Sequence, residues 1–474
     1  MPASDLFCPR ILVSGLGGGS GKTIVSLGLA RAFTAQGLSV QTFKKGPDYI
    51  DAKWLGLASH GVTTNLDPFL LPSATMTNLF WTKALGKDLA LIEGNRGLYD
   101  GKDVQGSYSS AELAKTLNCP VFVIADCTKV TRTMAAVVLG LCHFDPAVDI
   151  RGVILNRTAG ARHRSVLRQS IEQYTDVPVL GILPKLSVNP IPERHMGLIS
   201  DAEFSSDPFA EIATLVRDNV DLQACLQIAR SAPSSSGALV PLFPKTRTSS
   251  PVRIGVVRDA ALWFYYQENL DALTDAGAEL IEFSLLSDGS IPRDVDGLYM
   301  GGGFPETMAE TLAGNQSMLQ SIRQAVHQGM PIYGECGGLM YLSQKLEYEG
   351  RLYPLCGVFD LTTKVFIKPQ GHGYMQSTVV CPNPFYEVGT TLTGHEFHYS
   401  RCLDVEKVQA FVFDVHLGQG MAKGADGVLV RNCFAGYTHM HALGCSSWAV
   451  NFVRAVHYFQ QFRLRHESCP DIRL

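Results

Sequence analysis

The chain has 474 residues, 46% of them hydrophobic and 18% charged, with a formal net charge of −4. That length suits two or more domains, and the near balance of charge gives no sign of a nucleic-acid or membrane partner. No apolar run approaches the ~18–20 residues of a membrane-spanning helix, and twelve Cys without a CxxC pair read as scattered reduced thiols, not a disulfide framework. The first ten residues lack the charged start and apolar stretch of a signal peptide, so a cytoplasmic protein is expected.

In chain order, short β-branched runs alternate with helical stretches. Ile11-Leu12-Val13 predicts a strand, Lys22 to Gln36 a helix, and Ser39 to Phe43, Leu89 to Ile92, Val121 to Ala125 and Val153 to Leu155 four more strands. Continuous apolar strands separated by helices predict a parallel sheet buried on both faces, in a doubly wound α/β domain. The Ser/Pro/Thr-rich stretch 231–251 reads as a linker. Beyond it the alternation restarts at Val252 to Val257, continues at Leu298 to Met300 and Pro331 to Tyr333, and grows strand-rich from Tyr353 to Val430. The expected division is therefore 1–230, linker 231–251, and 252–474.

Two segments carry chemistry. Ser14 to Thr23 reads Ser-Gly-Leu-Gly-Gly-Gly-Ser-Gly-Lys-Thr at a strand-to-helix junction, the setting of a P-loop. Glycines let backbone N–H groups turn inward around phosphates, so Gly19, Ser20, Gly21, Lys22 and Thr23 are expected to bind a nucleotide, with Thr23 also reaching Mg²⁺. Leu16 stands where the strict pattern has Gly, so this is a variant loop. Glu93 ends an apolar strand, and Asp48 and Asp51 lie three residues apart just past another. All three are candidates to face the transferring phosphate, with Asp48 and Glu93 as metal ligands. A capping carboxylate and a solvated turn are the bland alternatives.

The second segment is Tyr333-Gly334-Glu335-Cys336-Gly337-Gly338, where Cys336 sits between small residues, after a strand and before a helix. That is the pattern of a nucleophile elbow, in which a helix N-terminus is expected to lower the thiol pKa. His439, in Thr438-His439-Met440-His441, is the expected base. Gly302 and Gly303, after another strand, are placed to stabilise an oxyanion. Metal binding by His439 and His441 is the rival reading.

With these residues in view, the chain resembles the cobyrinate a,c-diamide synthases over nearly its whole length. The resemblance rests on Phe43 to Asp51, Asn65-Leu66-Asp67, Glu93-Gly94 with Gly97-Leu98-Tyr99-Asp100-Gly101, and His143-Phe144-Asp145-Pro146. It continues through Val153 to Arg157, Arg194-His195-Met196-Gly197-Leu198, Arg258 to Tyr266 and the Cys336 elbow. It implies a P-loop amidoligase domain followed by a class I glutamine amidotransferase-like α/β domain. It also implies ATP-dependent activation of the a and c acetates of cobyrinate as acyl phosphates, with ammonia from glutamine as the attacking group. Cys336 would attack glutamine, His439 would move the proton, and His441, where many such domains have Glu, would orient His439 or the substrate. ATP and Mg²⁺ are the implied cofactors. Lys44, Lys45, Tyr49 and Arg96 are the expected contacts to the acidic tetrapyrrole. Asn95-Arg96 departs from the usual apolar pair and resembles the sulfur-metabolism branch associated with siroheme amidation, which stays open as an alternative substrate. A non-amidating P-loop switch or scaffold is the alternative of another class, and the exposed sheet edges leave a homodimer open.

Overall fold

The computed structural model describes residues 4–187, 208–245, 251–422, 424–465 and 467–474. Arg194 to Leu198, part of the resemblance, lie outside the described residues. The chain forms two compact units, the first reaching to Leu242 and the second spanning Phe243–Leu474. Among the described residues no helix is long and apolar enough to cross a membrane.

The first unit is built on a seven-stranded parallel sheet. Its strand order is Thr64–Leu66, Val40–Lys45, Leu89–Glu93, Arg10–Gly15, Val121–Asp126, Ile150–Thr158 and Val179–Pro184. Arg10–Gly15 and Leu89–Glu93 are buried along their whole length, as a sheet covered on both faces requires. The five expected strands are present, and the sheet gains Thr64–Leu66 at one edge and Val179–Pro184 at the other. Helix Lys22–Ala35 leaves the central strand and packs on Pro208–Asn219 so closely that a Cβ at Gly28 would stand 2.3 Å from Val216 Cγ2. Ser235–Gly237, inside the stretch read as linker, pairs antiparallel with Ser4–Leu6 and belongs to this unit. Arg10 is fully buried, yet its guanidinium donates to the carbonyls of Leu117, Cys8, Asn118 and Pro233. Those bonds offset the cost of desolvating the charge.

The second unit has a six-stranded central sheet in the order Ala278–Phe283, Val252–Val257, Gly297–Met300, Ile332–Glu335, Cys433–Gly436 and Val428–Val430. Only the last strand is antiparallel to its neighbour. Helix Ser447–Arg463 covers one face, and Trp448, Tyr299, Tyr333, Phe385, Phe434 and Phe452 form a continuous aromatic core there. The strand-rich stretch resolves into two further sheets. One contains Arg351–Pro354, Ser343–Tyr348, Phe359–Val365 and Ser400–Leu403. The other contains Ala425–Asp426, Phe413–Leu417, Gly371–Val379, Thr391–His398 and His439–Met440. The second of these carries His439 as its edge strand, in register with His395.

Candidate active sites

In the first unit, the loop after Arg10–Gly15 turns through Gly19 and Gly21, whose φ values of 72° and 96° favour glycine. A side chain at Gly21 would also meet Asn156 Nδ2 at 2.1 Å. That amide donates to the Ser20 carbonyl at 2.9 Å and so fixes the loop from the Ile150–Thr158 strand. Lys22 Nζ donates to the Gly17 carbonyl at 2.9 Å, arching across the loop. Burial draws its ammonium pKa down, while Glu93 pulls the other way.

Behind the loop lies a buried charge cluster. Thr23 Oγ1 donates to Glu93 Oε1 at 2.8 Å, and Lys44 Nζ donates to the same oxygen at 2.8 Å and to Asp51 Oδ2 at 2.6 Å. Burial pushes the Glu93 carboxyl up to about 7 against the pull of Lys44, and its buried Oε2 has no hydrogen-bond partner among the described residues. Asp48 caps helix Tyr49–Ser59 by accepting from the N–H groups of Ile50 and Asp51 at 2.8 and 3.0 Å. Burial and the neighbouring Asp51 raise its pKa. Asn65 pins the intervening turn by donating to the Gly46 and Asp48 carbonyls. Lys44, expected to meet the substrate, is instead locked between two carboxylates and 3% exposed. Lys45 and Tyr49 are also buried, whereas Arg96 stands exposed just past the Glu93 strand with φ 51°.

In the second unit, Cys336 ends the strand Ile332–Glu335 with φ 47° and ψ −93°, and helix Gly337–Leu342 follows at once. A non-glycine residue held there stores on the order of 1–3 kcal/mol of strain, as an elbow does. The flanking glycines are required by packing. A Cβ at Gly337 would lie 2.9 Å from Gly303 N, and one at Gly338 would lie 2.6 Å from the Met300 carbonyl. The expected lowering of the thiol pKa does not occur. Burial pushes Cys336 well above the usual range, the Glu306 and Glu335 carboxylates reinforce this, and the Gly337 N–H pulls down more weakly. The thiol therefore rests protonated, and a base must take its proton.

His439 is the candidate for that base. A Cβ on Gly302 would stand 3.2 Å from His439 Nε2 and one on Gly337 would lie 2.9 Å from Gly303 N, so the strand Gly302–Gly303 borders both the Cys336 elbow and the imidazole. His439 Nδ1 lies 3.2 Å from Glu335 Oε2, within hydrogen-bond reach, with both side chains 1% exposed. Sequence reasoning missed Glu335, although a carboxylate immediately before the nucleophile was there to be seen. His441 does not orient His439: its Nε2 lies 3.6 Å from Glu268, its Nδ1 accepts from Leu443 N–H, and its ring packs on Tyr266. Among the described residues no cluster of three or more His, Cys, Asp or Glu forms a ready-made metal site, at the His pair or elsewhere.

A Gly-rich phosphate loop on one α/β unit and a Cys–His elbow on another define a glutamine-hydrolysing ligase. Comparison with known proteins agrees. Residues 11–199 match the CobQ/CobB/MinD/ParA nucleotide binding domain, and residues 253–446 match the CobB/CobQ-like glutamine amidotransferase domain. The chain is 41% identical to cobyrinate a,c-diamide synthase of Magnetococcus marinus over 448 residues, covering 93% of this chain and 96% of that one. The enzyme of the same name from Archaeoglobus fulgidus is 38% identical over 94% of this chain and 97% of its own. That of Listeria monocytogenes serotype 4b is 39% identical over 91% and 96%. The chain belongs to the cobyrinate a,c-diamide synthase family.

Proposed function

We propose that the protein amidates the a and c acetate side chains of cobyrinate, using ATP to activate each carboxylate and glutamine to supply the nitrogen. The observation that carries this reading is the presence of two complete sites in one chain: the phosphate loop with the Thr23–Glu93–Lys44 cluster, and the Cys336–His439 elbow. The names of the relatives support cobyrinate as the substrate.

In this reading Gly19 to Thr23 cradle the triphosphate and Lys22 swings from the Gly17 carbonyl to the terminal phosphates. The buried Glu93 Oε2, without a partner among the described residues, fits a divalent cation, which Thr23, Glu93 and Asp48 would hold. When bound, Mg²⁺ would neutralise phosphate charge. Lys44 keeps Asp51 and Glu93 in place, so the carboxylates do not repel one another out of position. A substrate acetate oxygen attacks the γ-phosphorus, the bond to ADP breaks, and an acyl phosphate forms. Ammonia then displaces phosphate to give the amide. Positioning and charge neutralisation are the protein's main contributions to such a transfer.

Ammonia arises at Cys336. His439 Nε2 takes the thiol proton, sulfur bonds to the amide carbon of glutamine, and Gly302–Gly303 stabilise the oxyanion. The C–N bond breaks as imidazolium returns the proton to the departing nitrogen. Water then cleaves the thioester to glutamate. The test is mass spectrometry of products from cobyrinate and, in a parallel arm, from siroheme, with ATP and Mg²⁺. Each amidation lowers the product mass by about one unit, since OH is replaced by NH₂. Two conversions on cobyrinate are expected, and conversion of siroheme alone would overturn the substrate. Cys336→Ala should lose glutamine-driven amidation and keep the rate with an ammonium salt. Loss with both nitrogen sources would overturn the division of labour.

A further inference from the structure

We propose that Glu335 is the positioning residue that holds His439 ready to deprotonate Cys336, an inference that rests on the reading of the second unit as a glutaminase. Glu335 is the last residue of a fully buried central strand, and the next residue is the nucleophile. One backbone turn thus places both the thiol and the carboxylate that steers its base. His439 arrives from the edge of another sheet, so this contact fixes the two sheets' functional groups relative to each other.

The imidazole meets a carboxylate at Nδ1 and packs against a glycine strand along its opposite edge. Nδ1 meets Glu335 Oε2 at 3.2 Å, and the opposite edge faces Gly302, whose Cβ position would lie 2.5 Å from Cε1 and 3.2 Å from Nε2. With the proton on Nδ1 directed to the carboxylate, the Nε2 lone pair is turned toward the strand bordering the thiol. When Nε2 takes the thiol proton, the carboxylate opposes the new positive charge at 3.2 Å in a site closed to water. Burial raises the Glu335 pKa, and His439, the Met440 N–H and Tyr299 from the adjoining strand pull it back down. His395 stacks on His439 with centroids 5.0 Å apart and planes 23° apart, and Tyr266 OH reaches His395 Nδ1. Burial and the His439 charge keep His395 neutral, so it acts as a wall against the ring and not as a competing base. Cys336, Glu306 and Asp426 also face the site, and the buried hydroxyls of Tyr265, Tyr333 and Tyr386 lie within reach of the Glu335 charge. His441 turns its Nε2 toward Glu268 at 3.6 Å, accepts from the Leu443 N–H at Nδ1 and packs its ring on Tyr266.

The experiment uses the full chain and follows glutamate release from glutamine against pH, with ammonium-driven amidation measured alongside. E335Q should cut kcat for glutamine hydrolysis roughly 100-fold, leave KM within about threefold and move the acid limb to lower pH, because a neutral amide no longer stabilises imidazolium. Ammonium-driven amidation should persist, E335D should recover part of the hydrolysis, and H441N should keep the wild-type profile. E335Q with wild-type kcat and an unmoved limb would overturn the assignment, as would H441N showing the loss instead. If E335Q also loses ammonium-driven amidation, E335D decides: recovered hydrolysis supports the assignment and none overturns it. A wild-type protein that releases no glutamate would overturn the glutaminase reading and the assignment together.

Discussion

Glu306 follows Pro305 at the end of the Gly302–Gly303 strand and is 8% exposed, and its charge is felt at Cys336. Burial pushes its carboxyl from 4.5 up to about 7, with only its own backbone N–H pulling the other way. In the unfolded chain the group ionises near 4.5, so between the two values the folded state holds a proton that the unfolded state has lost. Stability must then fall as pH rises through that window, by roughly 3 kcal/mol in all. Glu306→Gln removes the charge, so the variant should be more stable than wild type at pH 8 and indistinguishable near pH 4. Chemical denaturation of the ligand-free protein across that range would show it, and a constant difference would mean that Glu306 ionises freely in the fold. The sequence, with Gly-Gly-Phe-Pro-Glu after a strand, made the glycines legible as an oxyanion segment. It did not make legible the charge state of the carboxyl beyond them, because that depends on how deeply neighbouring elements bury it.

At the scale of elements, the strand–turn–helix units were readable because each is local. Continuous apolar runs ended by Gly-Lys-Thr or Cys-Gly-Gly give both the strand and the turn within ten residues. The pairing of Gly302–Gly303 with Leu262–Phe264, and of His439 with His395, spans some 40 residues of chain in each case and left no periodic signal. Three-residue strands such as Thr64–Leu66 are too short to alternate visibly. The helix N-terminus at Cys336 was overrated for a physical reason: helix Gly337–Leu342 has six residues, and its N–H contribution is smaller than the cost of burying a thiolate. The Gly302 strand has a consequence for activity. In Gly302→Ala the new methyl would stand 2.5 Å from His439 Cε1, so the imidazole must shift. A displacement of about 1 Å at a reacting group costs ~100-fold, and that loss is expected in glutamine hydrolysis, with ammonium-driven amidation retained. Unchanged hydrolysis would show that His439 has room to spare beside that strand.

For the whole molecule, two α/β units with separate cores follow from the restart of the strand pattern after residue 251, and the structure divides at Leu242. The phosphate loop and Glu93 in one unit and Cys336 in the other stand where a buried parallel strand ends, because there backbone N–H groups and side chains escape the sheet's own hydrogen bonding, whereas His439 comes from the edge of an antiparallel sheet. What the sequence could not display is the inward-facing ionic chemistry. Lys44 reads as a basic residue available to an acidic ligand, yet the sheet turns it into an internal counter-ion for Asp51 and Glu93. That leaves Lys22 as the cation of the loop itself, 7% exposed and hydrogen-bonded to the Gly17 carbonyl. Exchanging that tether for a phosphate costs one neutral hydrogen bond and gains a charged one. Lys22→Ala should therefore lower nucleotide-dependent amidation ~100-fold or more with either nitrogen source. Glutamine hydrolysis without nucleotide should stay within a few-fold of wild type, because Cys336, His439 and Glu335 belong to the other unit. Parallel assays of glutamate release and amide formation would check this. Amidation within tenfold of wild type would remove Lys22 from the phosphate site, and a matching loss of hydrolysis would show that the thiol site depends on an intact phosphate loop.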